Sequence, residues 1–236
     1  MTYKTFAMFL SLSLLCGCQS VSVYDPDDPY ESINRPVDSF NHQVDVLILN
    51  PATGLYNTLV PGFLRHGLHR VFMNFSELSN IVNAGLQGHW PDFENSVERL
   101  SINTFCGFLG FFDRAHETGR YRTRHDFGQT LYYWGYEHSD YIVLPFIGPS
   151  TFRDAFGLVI DSTLFNPLVY INEESTKNIL AYTQIFDSKA TFNEKYKDIQ
   201  VKGYFDKYII NKNGFLQYRQ SFLQPVPPVD SYEIDF

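Results

Sequence analysis

Cys18 is the residue in this chain best placed for covalent chemistry. It closes Leu15-Cys16-Gly17-Cys18, which reads as a lipobox with Leu at −3, Gly at −1 and Cys at +1. A small residue before the cut suits a signal peptidase, and the Cys18 thiolate is the nucleophile that takes a diacylglyceryl group. The competing reading is an ordinary signal peptide cut elsewhere, with Cys18 a plain thiol. Other reactive residues are sparse. His66 and His69 are three apart and share a helix face, but no third metal ligand stands nearby. Cys106 lies in an apolar run and is expected to be a small core residue. No Gly-x-Ser-x-Gly, His-Glu-x-x-His or phosphate-cradling glycine loop is present, so the chain reads as non-catalytic, with no cofactor implied.

The element that positions Cys18 is residues 1–17. Lys4 supplies a positive start and Phe6–Leu15 an apolar stretch of about ten residues, too short for a bilayer core that needs roughly 20. Its removal leaves 219 residues with a net charge of −9. Gln19-Ser20, with no Asp at +2, fits sorting to an outer membrane. One acyl chain holds a protein only marginally, because each buried methylene contributes about 0.8 kcal/mol; three on Cys18 make attachment permanent in practice. With Cys16 removed and Cys18 acylated, Cys106 has no partner for an internal disulfide.

The composition narrows the partners. A net charge of −8 argues against nucleic acid and against a simple electrostatic hold on anionic headgroups. Aromatic residues make up 17% of the chain and charged ones 19%, a balance that suits contact with lipid as well as an aromatic-rich core.

Helix signals run through the rest. Residues 18–27 read as a tether and residues 223–236, rich in Pro and acid, as a disordered tail. Between them, Asp28-Pro29-Tyr30-Glu31 resembles a helix start, Pro36 should kink or restart that helix, and Asn50-Pro51 should end its apolar stripe. A helix over 55–72 is interrupted at Pro61-Gly62. Asn74-Phe75-Ser76-Glu77 reads as a capping box opening the next one, which Gln87-Gly88 closes. Residues 91–104 place Phe93, Val97, Leu100 and Thr104 on one face. The uncharged run 105–112 is either core or a helix lying within a lipid layer. Arg114, Arg120, Arg122 and Arg124 form a basic loop, either solvated or aimed at lipid phosphates or an acidic partner. Tyr132-Tyr133-Trp134-Gly135-Tyr136 reads as an interface belt, a lipid path or core packing. Asn172 could cap a later helix whose apolar face is Ile179, Tyr182, Phe186 and Ala190, and Asn213-Gly214 should stop the helix begun by Phe205 and Tyr208. The final Tyr232, Ile234 and Phe236 alternate as in a barrel strand, but a barrel needs at least eight such strands, and the signals here are helical.

Leu144–Asp154 ties these pieces together. Pro145 interrupts an apolar run, Gly148-Pro149 forms a turn, Ser150 stands at a helix N-cap, and Phe152, Phe156 and Val159 follow at helical spacing. Arg153 and Asp154 point about 100° apart and are not expected to pair. With this segment stand Asp28-Pro29-Tyr30-Glu31 and Asn34-Arg35, Asn103-Thr104 with Gly107–Asp113, and Asp126–Leu131. In this order and spacing, from about Asp25 to Tyr218, the chain resembles the MlaA (VacJ) family of outer-membrane lipoproteins.

That resemblance implies an all-α, multi-helix, ring-like, membrane-embedded domain with short irregular hairpin-like loops, spanning 28–222. It implies phospholipid transport that maintains lipid asymmetry, with trimeric porins, a soluble periplasmic lipid-carrier protein and an inner-membrane ATP-driven transporter as partners. A channel or lipid path is expected at Phe40, Asn41, Gly135 and Tyr141. Asn34, Arg35, Pro145, Gly148, Arg153 and Asp154 are expected to be structural. Family members usually carry Arg-x-Gly-x-x-Asn where this chain has Arg65, Gly67 and His69. A scaffolding lipoprotein that moves no lipid is the alternative.

Overall fold

The structure, a computed structural model, describes residues 28–196 and 206–223, apart from the side chains of 192–196. The lipobox with Cys18, the 18–27 tether, Phe205 and the tail from Gln224 onward lie outside the described residues.

Helix α1 (Glu31–Val44) passes through a π-helical turn, Asp45–Leu49, into α2 (Asn50–Leu59). Pro36 lies inside α1 without restarting it, because in the second turn its missing N–H costs a single backbone bond. Nor does Asn50-Pro51 end the run: Pro51 occupies the first turn of α2, where proline is tolerated. The break comes at Val60, extended ahead of Pro61. Helix α3 (Gly62–Gln87) then runs for 26 residues, straight through Asn74–Glu77, which cap nothing, and stops at left-handed Gly88 as expected.

Helix α4 (Trp90–Phe105) packs back along α3 in the most extensive helix pairing of the fold. After a turn over 106–112 come short α5 (Arg114–Glu117) and α6 (Phe127–Tyr133). Asp126 caps α6 by accepting from the Gln129 N–H at 2.9 Å, while the Gln129 side chain accepts from the Asp126 N–H at 3.1 Å. Two short strands follow, β1 (Tyr141–Leu144) and β2 (Gly148–Thr151), antiparallel in register from Tyr141 opposite Thr151 to Leu144 opposite Gly148. The turn is Pro145–Ile147, with Gly148 starting the second strand at φ +99° and so in the region that favours glycine.

Helix α7 (Phe152–Ile160) is capped by Thr151, whose hydroxyl accepts from the Asp154 N–H at 3.2 Å; Ser150 belongs to the strand instead. A second π turn, Asp161–Phe165, and a 3₁₀ turn, Pro167–Tyr170, lead to α8 (Glu174–Tyr196), and the last described element is α9 (Lys207–Leu223). Asn213-Gly214 falls inside α9 and does not stop it. A Cβ on Gly157 of α7 would stand 2.3 Å from the Gly128 backbone nitrogen of α6, so those helices meet backbone to backbone.

The polarity of the fold is inverted. Among the described residues the buried polar or charged side chains number 19 and the buried apolar ones nine, so the centre is held by hydrogen bonds and ion pairs more than by apolar packing. Helix α4 buries Ser96, Arg99 and Asn103, not the expected apolar face, and leaves Val97 exposed. In α8 the buried positions are Asp187 and Ala190, while Ile179 and Tyr182 of the expected face stand exposed. The run 105–112 is neither core nor a helix of its own: Phe105 ends α4 at 86% exposed, and 106–112 form a turn with Phe108 78% exposed and Cys106 exposed beside it.

Candidate functional site

Two regions carry the functional chemistry: a buried charge layer and an apolar outer surface with the β-hairpin at its edge. In the layer, Glu77 of α3 is 1% exposed and accepts from Arg99 Nε at 3.1 Å, Arg122 Nε at 3.2 Å and Asn80 Nδ2 at 2.8 Å. Arg99 reaches on to both Asp113 carboxylate oxygens at 3.3 Å and to the Arg120 carbonyl. Asn103 donates to Asp113 at 3.0 Å and accepts from the Ala115 N–H at 2.9 Å. Burial alone would raise the Asp113 pKa, but Asn103 and Arg99 hold it below the usual carboxylate range. The arginine loop is therefore solvated only in part: Arg122 reaches buried Glu77, while Arg114, Arg120 and Arg124 stay exposed, Arg120 in a surface pair with Glu98 at 2.5 Å.

A second charge centre joins α9 to α6 and α7. Arg219 donates to Asp126 at 2.6 and 2.7 Å and to Asp154 at 2.9 Å. Burial opposes the Arg219 charge, yet these carboxylates hold its proton more tightly than in free arginine. Burial likewise pushes Asp126 up, and the Arg219 guanidinium overcomes it, leaving Asp126 below the usual range. Asp161 accepts from Ser79, Asn83 and the Phe127 N–H at 2.7–2.9 Å, but burial outweighs these bonds and raises its pKa. Arg153 and Asp154 do pair, Nε to Oδ1 at 3.1 Å, because each turns toward the Arg219 centre. The Arg153 Nη1 also donates to the Tyr136 and Glu137 carbonyls, fixing the aromatic loop.

The hairpin is held by amide side chains. Asn34 of α1 donates to the Tyr141 carbonyl at 3.2 Å and accepts from the Val143 N–H at 2.9 Å, so its side chain pairs with β1 as a neighbouring strand would. About two turns along α1, Asn41 donates to the Leu144 carbonyl at 2.9 Å and accepts from the Phe146 N–H at 2.7 Å. The Phe40 and Phe146 rings meet edge to face at 5.2 Å. Arg35 pairs with Glu31 and Asp206, both at 2.6 Å, and stacks over Tyr208. Phe40, Asn41, Asn34, Pro145 and Gly148 are thus brought together at one hairpin. Tyr141 is 2% exposed, packed against Tyr208 and Phe215; burial, then the charges of Asp38 and Asp28, raises its hydroxyl pKa. Gly135, with φ +104° and open space beside it, lies apart in the loop after α6, next to exposed Trp134 and Tyr136.

Around these centres the surface is apolar. Leu47, Leu59, Phe63, Phe105, Phe108 and Phe146 are all more than half exposed. Among the described residues the non-glycine positions with left-handed backbone are Phe108, Leu109 and Phe146, each an exposed large apolar residue at a loop tip. Such conformations cost of order 1–3 kcal/mol and persist where the surroundings hold them. No helix among the described residues is long and apolar enough to cross a membrane.

Sequence reasoning missed the role of Glu77, Arg99, Arg219 and Asp126 as the centre of the fold. It also missed a cluster of His89, Asp92 and His125, whose ligand atoms lie within 4.8 Å of one another. His69 stands three residues from His66 on α3, and its ring meets Asp187 of α8 at 2.7 Å.

The comparisons agree with this architecture. Residues 26–222 match the profile of the MlaA lipoprotein family. The chain is 30% identical to the intermembrane phospholipid transport system lipoprotein MlaA of Escherichia coli K12, over 94% of this chain and 89% of that protein. It is 32% identical to the corresponding lipoprotein of Haemophilus influenzae over 70% of this chain and 69% of that one. An uncharacterized protein of Rickettsia typhi is 32% identical over 89% of this chain and 84% of its own. A solved structure described as the structural basis for maintenance of bacterial outer membrane lipid asymmetry superimposes with a TM-score of 0.71 at 27% identity, covering 84% of this chain and 99% of that one. With a mostly helical fold around buried charges, an apolar exterior and a family match across nearly all described residues, this chain belongs to the MlaA lipoprotein family.

Proposed function

We propose that this protein is an outer-membrane lipoprotein that takes mislocalised phospholipid from the outer leaflet and passes it toward the periplasm, maintaining lipid asymmetry. The inverted polarity carries the reading. Six or more large apolar side chains stand exposed while Glu77, Arg99 and Arg219 are buried, an arrangement that water penalises and a lipid leaflet stabilises. Acylated Cys18 supplies the permanent tether, and the exposed apolar side chains supply a face that suits a lipid leaflet.

The lipid path in this reading borders Phe40 and Asn41 at the hairpin, with Gly135 in the exposed loop after α6, while Tyr141 of β1, buried against Tyr208 and Phe215, supports the hairpin from behind. The apolar exterior meets acyl chains, and the charges behind it give a headgroup a polar route. Energetics then require a receiver. Two acyl chains of about 15 methylenes each lose on the order of 20–25 kcal/mol if released into water, so the lipid passes from protein to protein. A soluble periplasmic carrier is the natural acceptor, fed onward to an ATP-driven transporter, and trimeric porins are the membrane partner against which the apolar rim seats. Accumulation of outer-leaflet phospholipid in a deletion strain, reversed by the intact gene and not by Cys18→Ser, is the expected result. An unchanged level overturns the proposal. The scaffolding alternative predicts detergent-purified protein free of specifically bound phospholipid.

A further inference from the structure

The corner between α3 and α4 brings together groups that the lipid-handling surface does not use. Gln87 ends α3, His89 is the N-cap residue of α4, and Asp92 stands in its first turn. His125, from the stretch before α6, folds over them and is 8% exposed. Hydrogen-bond direction fixes its tautomer. The Gln87 amide nitrogen donates to the Asp126 carbonyl at 3.3 Å and to Thr130 Oγ1 at 2.9 Å. A carbonyl only accepts, so the amide oxygen must be the atom that faces His125 Nδ1 at 2.7 Å. Nδ1 therefore carries the hydrogen, and in a neutral ring Nε2 presents its lone pair to Asp92 Oδ2, 2.9 Å away. Two acceptors in contact call for a cation between them.

His89 Nδ1 lies 3.8 Å from the same carboxylate oxygen, and the three ligand atoms lie within 4.8 Å of one another. We infer that His89, Asp92 and His125 form a binding site for a divalent transition-metal ion of the zinc type. Two imidazoles and one carboxylate are a borderline-soft donor set that suits zinc and is poor for calcium or magnesium. Bonds of about 2.0–2.1 Å in a tetrahedron separate neighbouring ligand atoms by roughly 3.3 Å. The His125–Asp92 contact opens by about 0.4 Å to reach that spacing, the His89–Asp92 gap closes by about 0.5 Å, and the two imidazole nitrogens, within 4.8 Å of each other, close by up to about 1.5 Å through rotation of the His89 ring. Gln87 holds the far nitrogen of His125, as outer partners of metal-bound histidines do. His89, with its ring edge-on to Tyr133 at 5.1 Å, is the most solvent-open of the three, which leaves a coordination position for water. The bound ion would pin the α3–α4 corner to the segment that supplies Asp126.

The test uses the full acylated protein in detergent, stripped with chelator and titrated with zinc chloride alone. One ion per chain is expected, with a rise in unfolding midpoint of several degrees at a hundredfold excess over Kd. His89→Ala and Asp92→Asn are each expected to weaken binding about tenfold or more, and cobalt(II) to give the visible absorption of a tetrahedral N/O site. His89 is at the rim, so H89A keeps the test valid should His125→Gln fail to fold. Absence of stoichiometric zinc binding by the wild type, or equal binding by H89A, overturns the site.

Discussion

The Glu77 layer and the β-hairpin are built on opposite plans. Glu77 takes three donors from α3, α4 and the arginine loop, and Arg99 carries the network on to Asp113, so no member can leave without stranding a buried charge. The hairpin tip hangs on one side chain, Asn41, with two neutral hydrogen bonds and an edge-on ring contact. The first arrangement is costly to disturb and fixes the frame. The second opens at the expense of a couple of hydrogen bonds, the scale on which a membrane-facing loop can respond to lipid.

Breaking the frame should produce the largest effect. Glu77→Ala leaves Arg99 and Arg122 buried without their carboxylate, and a loss of about 3–5 kcal/mol is expected in chemical unfolding in detergent. A loss under 1 kcal/mol would mean that Asp113 alone holds both. Arg219→Met comes next, at about 3 kcal/mol near neutral pH, and it carries a pH signature. The Asp126 pKa is depressed in the folded state, so its stabilisation is present at neutral pH and lost as the pH falls below the unfolded value of about 3.9. The wild type should therefore lose stability steeply on acidification, and R219M should show a flatter acid limb.

The hairpin sharpens the contrast from the other side. Asn41→Ala is expected to cost about 1–2 kcal/mol, appearing as faster hydrogen exchange confined to 141–151 while α3 and α4 stay protected. Spread of that exchange into α4 would show that the two regions are coupled. The smallest change in folding belongs to Phe108→Ser, whose ring is exposed. No measurable loss of stability in detergent is expected, but binding of the unacylated Cys18→Ser protein to vesicles should weaken by about 1.5–3 kcal/mol if the ring is buried in lipid.

Much of the framework is legible in the sequence because capping and turn chemistry are local. Gly88 ends α3, Val60-Pro61 separates α2 from α3, and residues 90–105 form a helix. The motifs that carry the family resemblance, Asn34-Arg35 and Arg153-Asp154 among them, sit at the hairpin and at the Arg219 centre. What misleads is the habit of reading apolar residues as interior. Asn74 and Glu77 look like a helix start because they are polar, yet they face the polar centre of an uninterrupted helix. Phe93 and Val97 look like a buried stripe, and the side chains that are buried, Ser96 and Arg99, read as surface. The His89–Asp92–His125 cluster is out of reach for a different reason: His125 and Asp92 are 33 positions apart, and only the return of the 121–125 stretch across Asn80 and Asn95 brings them into contact.

The π turn Asp45–Leu49 has a consequence for how such a chain can change. It widens one coil of a continuous helical run by an inserted residue and so resets the rotation of α2 against α1 by about 100°. The other π turn, Asp161–Phe165, ends at extended Asn166, so no continuous helix follows it to be turned. Removing one residue from Asp45–Leu49 would regularise the coil while presenting a different flank of α2 to its surroundings. Gaps of a single position should therefore be rarer there than in the loops, because at that place a deletion alters direction as well as length.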